Sequence, residues 1–218
     1  MKRTIKKKRA AKARRVGPKK VPTRAGIISD ASACRAAFEL AEIPWVLIDG
    51  LVLGYVRHND VVHGDTDVDL AVCKELTDVE WNRLFMALRK HGFNCKNLKQ
   101  DFVYARRQTK FNMWLYHKRG NFYESFPPTA PGVKFVEKAR WYNKIQMVKF
   151  LGEIYPMPNH LEDYVAARYG ADWEVLRYTH DQWRLAKYGT ASSKYEPDVW
   201  FKSRCGPNGD LWPRIMPR

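Results

Sequence analysis

The segment Leu47–Leu76 reads LIDGLVLGYVRHNDVVHGDTDVDLAVCKEL, and it places Asp65, Asp67 and Asp69 at alternate positions where an apolar run begins. In a β-strand, side chains two residues apart point to the same face and are separated by about 7 Å. We therefore expect the three carboxylates to project into one crevice at the start of a buried strand. Like charges at that separation repel each other unless a cation lies between them.

A divalent metal ion would relieve this repulsion. Mg²⁺ and Mn²⁺ prefer carboxylate oxygens and keep water and substrate phosphates as their other ligands. The pattern therefore predicts a Mg²⁺ or Mn²⁺ site whose ligands are Asp65, Asp67 and Asp69. The pattern alone leaves an alternative open, a polar HGDTD turn that leads into an ordinary strand, because turns are rich in Asp and Gly.

Helix and strand patterns alternate around these aspartates. Ser29 or Asp30 is a typical N-cap, and the apolar spacing that follows predicts a helix ending before Pro44. The run WVLID predicts a short buried strand, followed by a turn at Gly50 and a brief helix through Val56. The run DVDLAVC alternates charged and apolar residues before it becomes wholly apolar, which is typical of a strand whose first turn faces solvent.

The chain beyond the aspartates continues this mixed pattern. Thr77 and Glu80 have the spacing of a capping box, which predicts the start of a helix that ends at Gly92. Residues 93–126 are rich in β-branched and aromatic side chains and predict three or four strands arranged in hairpins.

The order of these elements predicts an α/β (α+β) fold in which helices flank a mixed sheet. A later helix, capped by Asn159 and ended by Gly170, belongs to the same domain. We expect this domain to span residues 27–184. A disordered basic arm is predicted at residues 1–26 and an irregular C-terminal extension at residues 185–218.

Positive charge is concentrated at the N-terminus. Residues 1–26 contain 12 Lys or Arg and no acid, whereas the remaining residues contain 27 bases and 23 acids. Such a segment repels itself and has no apolar face, so we expect it to be disordered or to fold only on a polyanion. Residues 2–24 are a candidate contact for nucleic acid, anionic lipid or another charged polymer, or a nuclear localisation signal; a solubilising tail is the alternative.

The apolar and cysteine patterns predict a cytoplasmic protein with reduced thiols. No apolar run approaches the roughly 20 residues that a transmembrane helix needs, and the N-terminus lacks the apolar stretch of a signal peptide. The four cysteines are scattered, without the spacing of a zinc or redox site.

The stretch Asp49–Asp69 resembles the signature of the LicD family, the group that includes the fukutin-related proteins. The matching positions are Asp49, Gly50, Leu53, Gly54, Arg57, His58, Asp65, Asp67 and Asp69. A second stretch, residues 133–173, resembles the C-terminal motif of the same family. The resemblance implies a nucleotidyltransferase-type fold.

The resemblance also implies catalytic and substrate-binding roles. Asp67 and Asp69 would be the principal metal ligands, with Asp65 assisting the metal or acting as the base for an acceptor hydroxyl. Arg57 and His58 would hold or orient a phosphate. The residues that the resemblance implies for substrate binding are Gly50, Leu51, Gly54, Arg57, His58 and Asn112.

Two of these positions depart from the family pattern. Leu51 stands where the family has Thr or Ser, so a hydroxyl for phosphate is missing. Asn112 stands where such a site draws another carboxylate from a neighbouring strand. Three interpretations follow: a one-metal enzyme, a site completed by another acid such as Asp101 or Glu124, or a protein that binds nucleotide without turnover.

The resemblance implies metal-dependent transfer of a phosphocholine- or ribitol-phosphate-like group from a nucleoside diphosphate donor, CDP-linked, to a hydroxyl of a glycan or related acceptor. One alternative is a weak or inactive nucleotidyltransferase-fold protein that binds nucleic acid or another polyanion through its basic arm. Another is a nucleotidyltransferase acting on RNA, protein or a small molecule. The expected setting is a bacterial, phage or viral cytoplasm, or the nucleus if the arm is a localisation signal.

Overall fold

The fold is built on a five-stranded sheet in a computed structural model that describes residues 22–99, 102–125, 133–175 and 216–217. Two segments of the predicted organisation fall largely outside these residues, namely the basic arm up to residue 21 and the C-terminal extension apart from residues 216–217. Asp101, one of the acids considered as a further ligand, also lies outside the described residues.

The five strands form a mixed sheet. They are β1 Val46–Leu47, β2 Asp67–Val72, β3 Asn94–Lys99, β4 Phe102–Arg106 and β5 Lys110–Leu115. Their spatial order is β1-β2-β5-β4-β3, in which β2 and β5 are parallel and the other neighbouring pairs are antiparallel. The mixed sheet with its flanking helices confirms the predicted α/β class.

Two helices cover one face of this sheet. α1 Arg24–Ala41 and α3 Asp78–Lys90 pack on each other, and the ring of Phe38 in α1 lies 6.4 Å from that of Phe111 in β5. Phe93, which follows α3, lies 5.4 Å from the same Phe111 ring. Since side chains alternate along a strand, the neighbours of Phe111 in β5 point to the opposite face.

The remaining elements lie beside the five-stranded sheet. α2 Gly50–His58 and α4 Leu161–Tyr169 pack on each other, and α2 also packs on β2. A four-stranded sheet has the order β11-β8-β7-β6, and β9 and β10 form a hairpin that contacts β1. These strands are β6 His117–Arg119, β7 Phe122–Ser125, β8 Val133–Lys138, β9 Gln146–Phe150, β10 Glu153–Met157 and β11 Met216–Pro217, with a 3-10 helix at Ala139–Trp141.

The predicted start of α1 was wrong. Thr23 is the N-cap, because its Oγ1 accepts a hydrogen bond from the Gly26 N–H at 3.1 Å. Ser29 and Asp30 lie inside the helix, where the Asp30 carboxylate is fully buried and accepts hydrogen bonds from the turn between β4 and β5. The helix therefore begins at Arg24, within the segment that was predicted to be a disordered arm.

The other predictions for local structure were confirmed in part. Thr77 and Glu80 form both hydrogen bonds of a capping box at the start of α3. α4 ends at Gly170 as predicted, but its N-cap is His160, because the Asn159 side chain accepts a hydrogen bond from Gln146 at 2.9 Å instead. The described part of residues 93–126 forms five strands, one more than the predicted maximum. None of the helices in the described ranges has both the length and the apolar character to cross a bilayer.

Candidate active site

Asp67 and Asp69 lie on the face of the sheet opposite to the one that α1 and α3 cover. In the pairing of β2 with β5, Asp67 lies opposite Lys110 and Asp69 lies opposite Asn112. The Asn112 side-chain amide donates to Asp67 Oδ2 at 3.1 Å and to Asp69 Oδ1 at 2.8 Å. The two carboxylates therefore converge on one nitrogen atom, so Asn112 bridges them at the position where another acid was expected.

Asp65 precedes β2 and packs against the start of α2. Its Oδ1 accepts a hydrogen bond from the Thr66 N–H at 2.8 Å, whereas its Oδ2 is buried and has no hydrogen-bond partner within the described residues. A Cβ on Gly50 would lie 2.4 Å from this Oδ2, so only glycine permits the approach. The predicted turn at Gly50 was wrong, because Gly50 begins α2 and the positive φ of 55° belongs to Asp49.

Burial raises the pKa of all three aspartates, and the charge of Asp67 raises those of Asp65 and Asp69 further. The pKa of Asp65 rises to about 7, because of its burial first and then the charge of Asp67. Burial also raises the pKa of Asp67, an effect that the positive charge of Lys110 partly offsets. The pKa of Asp69 lies well above its ordinary value, through burial and then the charges of Asp67 and Asp49. The cluster is therefore stabilised by a proton or by a cation.

The chemistry of these side chains fits a hard divalent cation, although they do not form a complete preformed site. Mg²⁺ and Mn²⁺ prefer carboxylate oxygens. Asp65 Oδ2 has no hydrogen-bond partner in the part of the chain that the structure describes, and oxygens of Asp67 and Asp69 converge on Asn112. Within the described residues, however, no three His, Cys, Asp or Glu side chains are arranged around one metal position. Asp67 and Asp69 are candidate ligands because each has a carboxylate oxygen next to the same Asn112 amide nitrogen.

A buried ionic network joins the residue before α2 to α4. Arg168 donates to the Asp49 carboxylate through Nε and Nη2 and to Glu137 through Nη1. Tyr116 and Tyr142 donate their hydroxyls to the same Glu137 carboxylate. Burial opposes the charge of Arg168, but the carboxylates of Asp49 and Glu137 raise its pKa well above the ordinary value. Arg168 therefore remains charged in this buried position.

The network fixes Asp49 in two ways. Its backbone N–H donates to the Tyr164 hydroxyl at 3.1 Å, while its carboxylate accepts from Arg168. Asp49 was predicted from its match to the family signature, whereas the roles of Arg168 and Glu137 were not predicted. The available signal was their position in the second stretch that resembles the family, residues 133–173.

Packing accounts for two of the residues predicted to bind substrate. The side chain of Leu51 is 1% exposed and belongs to the hydrophobic core, so it presents no surface to a ligand. A Cβ on Gly54 would lie 2.1 Å from the carbonyl oxygen of Asp60. Glycine at this position therefore allows the loop after α2 to fold back against the helix.

Arg57 and His58 contact backbone carbonyl groups, and Glu124 lies on a strand of another sheet. Arg57 donates through Nη2 to the backbone carbonyl of Trp173, and His58 Nε2 lies 3.3 Å from the carbonyl oxygen of Val61. Glu124 lies on β7, outside the five-stranded sheet that carries Asp67 and Asp69. Phosphate binding by Arg57 and His58 stays a prediction.

Comparisons with known proteins found similar solved structures of one antibiotic-resistance factor. The solution structure of ANT(2'')-Ia has a TM-score of 0.48 and 12% identity, and the match covers 84% of this chain and 91% of that chain. The crystal structure of ANT(2'')-Ia in complex with adenylyl-2''-tobramycin has a TM-score of 0.46 and 13% identity, with coverage of 81% and 94%. A search of curated proteins found no match.

A family profile covers the segment that carries the acids. The profile described as "LicD/FKTN/FKRP, nucleotidyltransferase domain" matches residues 42–160, more than half of the chain. This match confirms the predicted resemblance and supports, in general terms, a transferase of phosphate-linked groups. The chain therefore belongs to the LicD family.

Proposed function

We propose that this protein transfers a phosphate-linked group from a CDP-linked donor, such as CDP-choline or CDP-ribitol, to a hydroxyl of a glycan or related acceptor. The observation that carries the proposal is that the Asn112 amide brings the Asp67 and Asp69 carboxylates together, with Asp65 packed against the start of α2 beside them. An acidic cluster of this kind is suited to a Mg²⁺ or Mn²⁺ ion that in turn binds the donor diphosphate.

The proposed reaction assigns a separate role to each part of the site. The acceptor oxygen attacks the donor phosphorus, a new P–O bond forms, and the bond to CMP breaks. Asp65, with a pKa of about 7, accepts the hydroxyl proton near neutral pH. The backbone N–H groups at the start of α2 favour the phosphate charge. The metal ion, held by Asp67 and Asp69, would neutralise charge on the leaving nucleotide.

Calorimetric titration of the donor tests this proposal directly. CDP-choline, CDP-ribitol, CTP and CMP are titrated into the protein with Mg²⁺ or Mn²⁺ and again with chelator. We expect a CDP-linked donor to bind only with the metal, and Asp67→Asn to lose that binding while its circular dichroism spectrum stays unchanged. Asp78→Asn, on the exposed first turn of α3, makes the same chemical change away from the cluster and should bind like the wild type.

Product analysis then distinguishes the proposed reaction from nucleotide transfer. Turnover of a CDP-linked donor releases CMP, whereas a nucleotidyltransferase acting on CTP releases pyrophosphate. Metal-independent donor binding, full activity of Asp67→Asn, or pyrophosphate as the product would each contradict the proposal.

A second candidate function rests on charge. Residues 1–26 carry 12 bases and no acid, which favours contact with nucleic acid or another polyanion. This contact would be independent of Asp67, so the two functions are separable by substitution.

A further inference from the structure

Asp67 and Asp69 lie on the face of the five-stranded sheet that α1 and α3 do not cover. On this face, a row of polar and basic residues runs from Asp67 across the neighbouring strands. Asp67 lies opposite Lys110, Lys110 lies opposite Arg106, and Arg106 lies opposite Asn94. Residues directly opposite each other on paired strands point to the same face of a sheet. Since strands are about 4.8 Å apart, the Cα atom of Arg106 lies about 10 Å from that of Asp67.

A cavity lies at the edge of the sheet, where Asn94 and Arg106 at the far end of this row meet Arg107, whose side chain contacts Asp30 of α1. It has a volume of about 430 Å³ and is lined by Gly92, Asn94, Arg106, Arg107 and Gln108. Two of the five lining residues are arginines, two carry side-chain amides, and none is acidic. This composition is suited to an anion with several oxygen atoms.

One wall of the cavity is held rigidly by a buried carboxylate. Asp30 is 0% exposed, and it accepts hydrogen bonds from the backbone N–H groups of Gln108 and Thr109 at 3.0 Å and 2.6 Å. Arg107 Nη1 donates to Asp30 Oδ1 at 2.8 Å. The turn between β4 and β5 is thus fixed before any ligand arrives, which reduces the entropy lost on binding.

Arg106 differs from Arg107 because no acidic partner contacts it among the residues that the structure describes. The side chain of Arg106 is exposed, and within the described ranges it takes part in no hydrogen bond or ion pair. Lys110, its exposed neighbour in the row, is equally without such a partner among the described residues. An exposed guanidinium such as that of Arg106 can bind two oxygens of a phosphate at once.

We propose that this cavity is a phosphate-binding subsite for the acceptor, which would carry a phosphate or similar oxyanion near its reacting hydroxyl. The proposal rests on the proposed function, which places the donor near α2. α2 follows β1, on one side of β2, whereas the cavity lies beyond β5 on the other side. A donor beside α2 therefore leaves the cavity to the second substrate, with Lys110 between the two.

Binding of inorganic phosphate tests the subsite without any nucleotide. Phosphate is titrated at constant ionic strength into wild type, Arg106→Gln and Arg119→Gln, with ³¹P NMR line broadening as the readout. Arg119 is an exposed strand arginine on β6 and serves as the matched control. We expect saturable binding that Arg106→Gln weakens at least tenfold and that Arg119→Gln leaves unchanged. Absence of saturable binding, or equal weakening by both variants, would overturn the proposal.

Acceptor selectivity tests the assignment of the subsite to the acceptor. With a saturating CDP-linked donor, we expect wild type to prefer glycerol 3-phosphate over glycerol, and Arg106→Gln to lose that preference with unchanged donor affinity. Weakened donor binding in Arg106→Gln would assign the cavity to the donor and overturn the proposal. If wild type binds no donor at all, the proposed function fails, while the phosphate titration still decides whether the cavity binds an anion.

Discussion

At the scale of single residues, the contact between Gly50 and Asp65 decides whether the acidic cluster can form. The three nearest atoms to a Cβ at position 50 all belong to the Asp65 carboxyl group, the closest at 2.4 Å. We expect Gly50→Ala to lower the free energy of unfolding by about 1–3 kcal/mol, because the carboxyl group must move within a packed site. Urea denaturation measures this change.

A double substitution isolates the cause of this loss. In an Asp65→Ala background the clashing atoms are absent, so Gly50→Ala should change the free energy of unfolding by less than about 1 kcal/mol. An equal loss in both backgrounds would mean that the helix start, rather than the carboxyl group, requires glycine at this position.

Arg168 supports the site through charge in a buried position. Its guanidinium is the partner of Glu137, which is 1% exposed, and of Asp49, which is 21% exposed, so Arg168→Gln removes the positive charge that both carboxylates contact. We expect a loss of about 3–5 kcal/mol in the free energy of unfolding, as for other buried ion pairs broken on one side. Thermal and urea unfolding of the variant measure it.

Arg140→Gln is the matched control for this substitution. The Arg140 side chain is 55% exposed and pairs with Asp163 at 2.6 Å. Loss of an exposed pair costs less than about 1 kcal/mol. Similar losses in the two variants would show that burial of the Arg168 network adds nothing to its strength.

At the scale of elements, the stability of the N-terminus of α3 depends on pH through the charge of Glu80. Hydrogen bonds from Lys74 and then from the Thr77 backbone lower the pKa of Glu80 to about 2. A lowered carboxyl pKa means that the charged form stabilises the fold, fully above the ordinary pKa of 4.5 and progressively less as the pH falls through about 2. We expect Glu80→Gln to unfold at a lower temperature than wild type at pH 7, and to reach the same temperature as wild type only when the pH is below about 2.

The control for α3 is Glu75→Gln, which removes an acid just before the helix. Its side chain is 81% exposed and takes no part in the capping box. The difference in unfolding temperature between Glu75→Gln and wild type should not change with pH in the way expected for Glu80→Gln. A gap for Glu80→Gln that is the same at both pH values would contradict the assigned role of its charge.

The predictions that succeeded depended on neighbours in sequence. The Thr77–Glu80 box closes within one helical turn, and the alternation in DVDLAV is a property of one strand, so both are visible in the sequence. Asp30 and Asn159 also resemble helix caps, yet their side chains bind Thr109 and Gln146 instead. A pattern within one segment cannot show that a distant segment uses the same side chain.

The same distinction between local patterns and distant contacts applies to the candidate site. Asp65, Asp67 and Asp69 were predicted because their spacing alone places them together. Arg168 was missed, since it reaches Asp49 across a sequence separation of 119 residues. Asn112 was noticed only as a missing acid, and its role as a bridge depends on the parallel pairing of β2 with β5.

At the scale of the whole molecule, charged side chains from segments that are distant in sequence lie beside each other. The network of Asp49, Glu137 and Arg168 joins the first stretch that resembles the family to the second. Asp67, Lys110 and Arg106 extend across three strands of one sheet. Both charge signs thus lie on the face of the sheet that carries Asp67.

Net charge at this scale comes largely from the N-terminal segment, and its deletion gives the last prediction. Removal of residues 2–21 eliminates 11 of the 39 Lys and Arg residues while keeping the Thr23 cap of α1. Each base in contact with a single-stranded polyanion contributes a slope of about −0.7 to the logarithm of affinity against the logarithm of salt concentration. We expect wild type to bind a uridine oligonucleotide with a steep slope, measured by fluorescence anisotropy.

The deletion should weaken this binding at least tenfold and flatten the slope, whereas Asp67→Asn should retain both the affinity and the slope of wild type. The reason is that polyanion affinity depends on the number of bases in contact, and the acidic cluster contributes none. Equal slopes for wild type and the deletion variant would place the contact on the folded part of the chain. The basic face around Lys110 and Arg106 would then be the surface to test.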